Sequence, residues 1–232
     1  MKSQLCCKKK LIIDADSLFF KICCVTNDFE EACRLFDLKI KSLVSFLESK
    51  TGNSWEYQIY FQEKIKNFRL TIDPTYKANR KTQIPPNFNE LKRWVKSNYP
   101  VKTANGTKET DDLIAEDANE NCCICYIDKD LKQIYTAGLH LNYEKMELYK
   151  VERKEALKNF YTQMITGDCS DNIKALKGKG IKYAEKLFKN KSCYFYLTLK
   201  EYIKHYGTQK GWKVFRTNYK LLRLGNLSFI DY

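Results

Sequence analysis

Histidine is nearly absent from this chain: only His140 and His205 occur in 232 residues, and neither sits at a spacing that would complete a zinc site. That scarcity removes the usual imidazole-based metal centres, even though Cys122 and Cys125 have the spacing of half a zinc site. On a strand those two positions face opposite sides, which is wrong for joint ligation. Long apolar runs are missing as well. No stretch approaches the roughly 18 residues needed to cross a membrane, and the segment "LIID" after "CCKKK" is too short for a secretory leader. There is no internal repeat and no low-complexity tract. The expectation is a soluble, cytoplasmic protein whose ten cysteines, set in apolar runs such as "KICCVT" and "NCCICYID", stay reduced in the core.

What is present is positive charge. Lysine and arginine total 41 against 28 acids, a formal net charge of +13. Such an excess suits polyanions (DNA, RNA or an anionic membrane face), and it is equally what a solvated lysine-rich surface gives. Hydrophobic residues at 44% are enough for a packed core.

Pattern reading gives a strand at Lys10–Asp14, a helix over about Cys33–Ser49, and a strand at Trp55–Phe61. A helix over about Asn87–Ser97 and a short strand at Val101–Ala104 follow. Thr110 caps a further helix, and "CCICYID" reads as a central strand. "GLHLNYEKMELYKV" alternates around a turn and reads as a hairpin, and the chain is helical from Arg153 onward. In the last helix Trp212, Phe215, Tyr219 and Leu222 fall on one side, read as core packing. Strands alternating with helices imply an α/β fold: a mostly parallel central sheet flanked by helices, with a helical C-terminal part. The expected division is a core over 1–165 and a helical part over 166–232.

In open parallel sheets ligands bind at the carboxyl ends of the strands. Asp14 ends the first strand, Glu63 lies just past the second, and Asp128 and Asp130 end "CCICYIDKD". Glu109, Asp111 and Asp112 open a helix; Asp168 and Asp171 follow another. Each group has an ordinary reading on its own, such as a dipole-favoured first turn or a solvated cap. Together they would repel strongly unless cations sat between them. Oxygen donors without histidine or cysteine point to two Mg²⁺ ions, with Mn²⁺ as a substitute, and hence to phosphodiester hydrolysis. "NFRLTIDPTYKANRK" adds Arg69, Lys77 and Arg80, cations suited to a scissile phosphate or to a solvated loop.

The segment "TGDCSDNIKALKGKGIKYAEKLFK" joins an acidic pair to lysines among glycines. Taken with "IIDADS", "NFR" with "PTYKANR", "KETDDLIA" and "YIDKDLKQI", in that order, it resembles the 5′-nucleases, which comprise flap endonucleases, polymerase I 5′-nuclease domains and phage 5′→3′ exonucleases. "DPTYKANRK", and "DKDLKQI" followed by "GLHLNYEKMELYKV", look closest to the phage enzymes. The resemblance covers Leu11 to about Lys189 and implies a PIN-like core with two divalent metals at the sheet edge. It supports Asp14, Glu109, Asp111, Asp112, Asp128, Asp130, Asp168 and Asp171 as the acidic cluster, with Lys77 and Arg80 facing phosphate. It also implies a helix–three-turn–helix over about 166–190, holding duplex DNA by its backbone through a K⁺ ion. There Lys177, Gly178, Lys179, Gly180 and Lys182 would meet phosphates.

The family's acid after the second strand falls on Glu63 when strand ends are matched. Counting back from Phe68 puts it on the uncharged Gln62. The segment corresponding to the family's helical arch is short, with one helix around "FNELKRWV". The function implied is a 5′→3′ exonuclease acting on duplex ends, on flaps or on RNA/DNA hybrids. The alternatives are a PIN-like single-domain ribonuclease, disfavoured by the glycine hairpin, and a catalytically inactive DNA-binding relative.

Overall fold

The computed structural model describes residues 9–80, 83–174 and 176–229, with only the backbone described at 64–65. Lys81 and the cysteines and lysines of residues 1–8, on which part of the sequence reading fell, lie outside these residues. Strand β1 (Lys10–Asp14) is followed by helices α1 (Asp16–Val25) and α2 (Phe29–Thr51) before β2 (Glu56–Ile65). The short α3 (Arg69–Ile72) and α4 (Phe88–Asn98) lead to β3 (Val101–Gly106). Next come α5 (Thr110–Asp117), β4 (Cys122–Tyr126) and the hairpin of β5 (Leu139–Asn142) and β6 (Glu147–Tyr149). The chain closes with α6 (Arg153–Thr166), α7 (Ile181–Phe188), α8 (Tyr194–Tyr206) and α9 (Thr208–Leu222).

The six strands form one sheet in the order β3-β2-β1-β4-β5-β6. All neighbours pair in parallel except β5 and β6. β1 is central, with β2 on one side and β4 on the other, so the chain reverses its direction of winding beside β1. That reversal opens a crevice at the carboxyl ends of β1 and β4.

Period-two alternation sorts the core into two layers. Leu11, Ile13, Cys123 and Cys125 join the residues under α1, α2 and α4. Ile12, Cys122, Ile124 and Tyr126 join those under α5 to α9. Cys122 and Cys125 therefore face opposite layers, both buried and both free thiols. Among the described residues no helix is long and apolar enough to cross a membrane.

Local signals account for most boundaries. α2 begins where the Asp28 carboxylate accepts the Glu31 amide at 2.8 Å, and ends at Gly52, whose φ of +65° suits glycine. The alternation "LKIKSL" turns the buried face of α2 toward Phe36, Ile40, Leu43 and Leu47, and leaves Leu38 exposed. Two expectations change. α1 has no counterpart among the predicted elements, because seven of the ten residues of "DSLFFKICCV" are apolar and blur the face formed by Leu18, Phe19, Ile22 and Cys23. The cap of α5 is Glu109, not Thr110: its side chain takes the Asp112 amide while Asp112 returns a bond to the Glu109 amide, a reciprocal capping box.

Candidate active site

The crevice holds a cavity of about 680 Å³ whose walls include the carboxylates of Asp14, Asp16, Glu109, Asp111 and Asp128. They arrive from four separate parts of the chain: the end of β1, the start of α1, the start of α5 and the segment after β4. Asp14 is the last residue of β1, and Asp128 follows β4 by two residues. Glu109 and Asp111 sit at the start of α5, where the helix N-terminus favours negative charge. Lys77, Arg80 and Lys129 line the same cavity.

The charge state of these groups reflects crowding. Burial, reinforced by the neighbouring Asp16 and Asp128, pushes the Asp14 carboxyl up to about 8. Asp111 is pushed well above the carboxylate range by burial and by Asp14, Asp128 and Glu109. Burial, with Asp128 and Asp168 alongside, raises Asp130 to about 7. Asp168 goes the other way. Burial opposes its charge, but hydrogen bonds from Ser170, Gln163 and Lys129 outweigh that and hold it at about 2.

Asp130 and Asp168 are joined to one another because the Gln163 amide donates to both, at 2.9 Å each. Asp171 is joined to Glu109 through the Tyr76 hydroxyl, which donates at 2.7 and 3.0 Å. The Arg80 guanidinium donates to Asp171 at 2.5 Å, and Lys77 pairs with Glu109 while lying 3.8 Å from Asp171. Lys77 has a left-handed backbone, φ +57°, and its amide donates to the Asp171 carbonyl at 3.0 Å, which ties this loop to the acidic segment. Ammonium and guanidinium groups thus stand between the carboxylates as counter-cations. Among the described residues no three acidic, histidine or cysteine side chains form a finished metal cage. The donors are nonetheless all oxygen, and Asp14, Asp111 and Asp130 are held toward their protonated forms because burial and neighbouring acids make ionisation costly without added positive charge. That combination fits hard divalent cations such as Mg²⁺ or Mn²⁺.

Three sequence assignments are corrected. Asp112 faces away from the cavity and grips Arg69 through two bonds of 2.6 and 2.8 Å. Arg69, expected at DNA, is 1% exposed and spends its remaining donors on Glu109 and on the carbonyls of Leu221 and Arg223. Glu63 does not reach the cavity; it pairs with Lys96 of α4. Neighbouring strand residues point to opposite sides, so it is Gln62 that lines the cavity.

The fold also brings in residues that no sequence expectation named. Asp16, the second acid of "IIDADS", accepts from the Gln62 amide at 2.8 Å, the Thr110 hydroxyl at 2.9 Å and Lys92 at 3.1 Å. The signal was in the quoted motif, but its partners lie 46, 94 and 76 residues away. Tyr76, which couples Asp171 to Glu109, lies inside the motif "PTYKANR" without being singled out there, and Gln163 carried no signal of its own.

The glycine hairpin between α6 and α7 lies apart from this cavity. Gly178 has φ +76° with open space where a Cβ would stand, so its turn requires glycine. Gly180 does not: its φ is −94°, and it precedes α7 as the N-cap with equally open surroundings. Lys177 and Lys182 are exposed and make no ion pair among the described residues. Lys179, expected to join them at phosphate, is instead held by Glu201 of α8, which also accepts from the Tyr183 hydroxyl at 2.6 Å.

No known protein-family profile matches the chain. A curated 5′-3′ exonuclease of Buchnera aphidicola subsp. Schizaphis graminum is 31% identical over 171 residues, 65% of this chain and 58% of that protein. A DNA polymerase I of Borreliella burgdorferi is 28% identical over 207 residues, 78% of this chain and 22% of that protein. The chain thus spans less than two thirds of the length of these relatives. Among solved structures, the T5 D15 protein co-crystallised with metal ions superposes with a TM-score of 0.69 at 15% identity, covering 92% of this chain and 89% of that one. T5 5′-exonuclease with bound zinc gives 0.61 at 17% identity, covering 92% and 86%. The fold is the PIN-like fold of these nucleases: a mostly parallel sheet flanked by helices, with a helical C-terminal region.

Proposed function

We propose that this chain, which sequence likeness and fold group with the 5′-nucleases, is a divalent-metal-dependent nuclease that hydrolyses DNA phosphodiester bonds from a 5′ end, with flaps and RNA/DNA hybrids as further substrates. The observation that carries the proposal is the convergence of acids, several too crowded and buried to ionise readily without added positive charge, beside Lys77 and Arg80 at the switch point of the sheet. Asp14, Glu109, Asp111, Asp128, Asp130, Asp168 and Asp171 are the residues that would hold two Mg²⁺ ions. Bound there, such ions supply Lewis-acid stabilisation of the charge that develops on a phosphate and lower the pKa of water.

The chain's own groups do the positioning. Lys77 and Arg80, paired with Glu109 and Asp171, are placed to exchange carboxylate partners for the oxygens of a scissile phosphate when substrate enters. Tyr76 and Gln163 hold the acids in pairs, so that these carboxylates keep their spacing as charge arrives. Lys177, Lys182 and the amides around Gly178 and Gly180 would take duplex phosphates without reading bases, with a K⁺ ion completing that contact. In such a reading the protein acts in the cytoplasm, on replicating or repaired DNA.

The test uses 5′-labelled and internally labelled duplex, flap and hybrid substrates, with Mg²⁺ and with EDTA. Wild type should release label from the 5′ end only with the metal. Asp128→Asn should lose cleavage by at least about a hundredfold while binding duplex as tightly or more tightly, since it removes a ligand and a negative charge that faces the DNA. A folded Asp128→Asn protein that cuts at the wild-type rate would refute the assignment.

A further inference from the structure

α9 carries a basic face that the proposed nuclease site does not use. Lys213, Arg216 and Lys220 recur at helical spacing on one side of it, exposed to solvent and without an ion pair among the described residues. Together with Ile72, Trp212 and Thr217 they line a cavity of about 240 Å³ that contains no acid. Trp212 is 43% exposed although its ring lies parallel to buried Phe215, with centroids 5.9 Å apart. The sequence pattern had placed Trp212 in the core with Phe215 and Leu222. Those two are buried, and Trp212 is left at the edge of the cavity.

We infer that this cavity is a second nucleic-acid site, which takes a single-stranded segment with one base against Trp212 and its phosphates along Lys213, Arg216 and Lys220. The occupant follows from the pairing of an exposed indole with three uncompensated cations. Cations alone would suit any polyanion. A flat aromatic face beside them suits one whose rings are unstacked, and a duplex hides its base faces except at its ends. The row from Lys213 to Lys220 runs about 10 Å along the helix axis, so it follows a backbone and does not clasp a single anion. A short stretch of chain links the cavity to the first site. Ile72 ends α3, and the chain from there reaches Lys77 and Arg80 within eight residues. The inference rests on the proposal that the chain handles nucleic acid.

The experiment measures binding in EDTA, where cleavage is suppressed, using a labelled oligothymidylate of about twenty nucleotides and a blunt duplex of similar length. Trp212→Ala should weaken oligothymidylate binding about tenfold or more, leave the blunt duplex within twofold, and be largely rescued in Trp212→Phe. The triple variant Lys213→Ala, Arg216→Ala, Lys220→Ala should lower the slope of log affinity against log salt for the single strand by about two units. All of these positions are exposed, and matching melting curves confirm the fold. Unchanged single-strand affinity and slope in both variants overturns the site. So does a loss confined to binding of polyglutamate, which would make the face a protein contact. If wild type binds the oligonucleotide through Trp212 yet never cleaves DNA, the nuclease proposal fails and this site stands. If wild type cleaves DNA and the variants bind like wild type, only this site falls.

Discussion

Arg69→Met isolates the difference between a cation that reaches DNA and one that holds the fold. In the native structure the guanidinium is 1% exposed and donates to Asp112 twice, to Glu109, and to the carbonyls of Leu221 and Arg223. It thereby fastens three distant pieces of chain: the loop after β2, the first turn of α5 and the end of α9. The last of these is where a helix leaves its carbonyls without intrahelical donors. Methionine fills much of the volume but returns none of the bonds. The Asp112 carboxylate then keeps two backbone amides, Glu109 and Gly225, and no counter-charge.

Removing one member of a buried pair costs about 3–5 kcal/mol, because the other charge is left desolvated. That is a large part of the roughly 5–15 kcal/mol that holds a domain together. Equilibrium denaturation in urea should show the midpoint falling accordingly, with Asp112→Leu similar. The double variant should be more stable than either single one, since it leaves no orphaned charge. Duplex affinity of Arg69→Met, measured where it remains folded, should stay within about twofold of wild type, because a group this buried adds no phosphate contact. An Arg69→Met protein with wild-type stability and weakened DNA binding would refute the reasoning and return Arg69 to the DNA.

Gly178→Val should destabilise the hairpin by about 1–2 kcal/mol, because its φ of +76° is costly for a β-branched residue. Gly180→Ala should be tolerated within about 0.5 kcal/mol, its φ being −94° with open space around it; equal losses in thermal melts would contradict this. His140 gives a pH signature. Burial lowers it to about 4, with Tyr126 and the Ile134 carbonyl as its partners, whereas an unfolded histidine titrates near 6.5. The unfolded chain therefore binds this proton first. The stability difference between wild type and His140→Phe should be constant above about pH 7.5 and should shift by up to about 3 kcal/mol against wild type as pH falls toward 4. A pH-independent difference would mean that His140 is accessible and ordinary.

Much of this protein is written locally. "LIID" and "CCICY" are strands because short β-branched and apolar runs, buried on both faces, suit parallel pairing, and the strand-helix alternation sets the sheet. The position of Asp14 and Asp128 at strand ends follows from the same runs, which is why the acidic edge could be read before any coordinates. α1 escaped because seven of its ten residues are apolar, with Phe20 and Cys24 lying among the polar Asp16, Ser17 and Lys21, so periodicity showed only a blurred face. What the local pattern could not decide was the partner of each charge. Arg69 and Lys77 lie eight residues apart in one basic loop, and nothing nearby says that the first is sealed against Asp112 while the second lines the cavity. Gln62 and Glu63 differ by one step of strand parity, and the choice between them waits on which face β2 turns to α4. Lys179 looks like its neighbours Lys177 and Lys182 until α8 brings Glu201 beside it. Helix and strand periods are set by residues within a turn or two. A charge is decided by desolvation and by partners tens of residues away, and these meet only when the sheet closes and the helices pack on it.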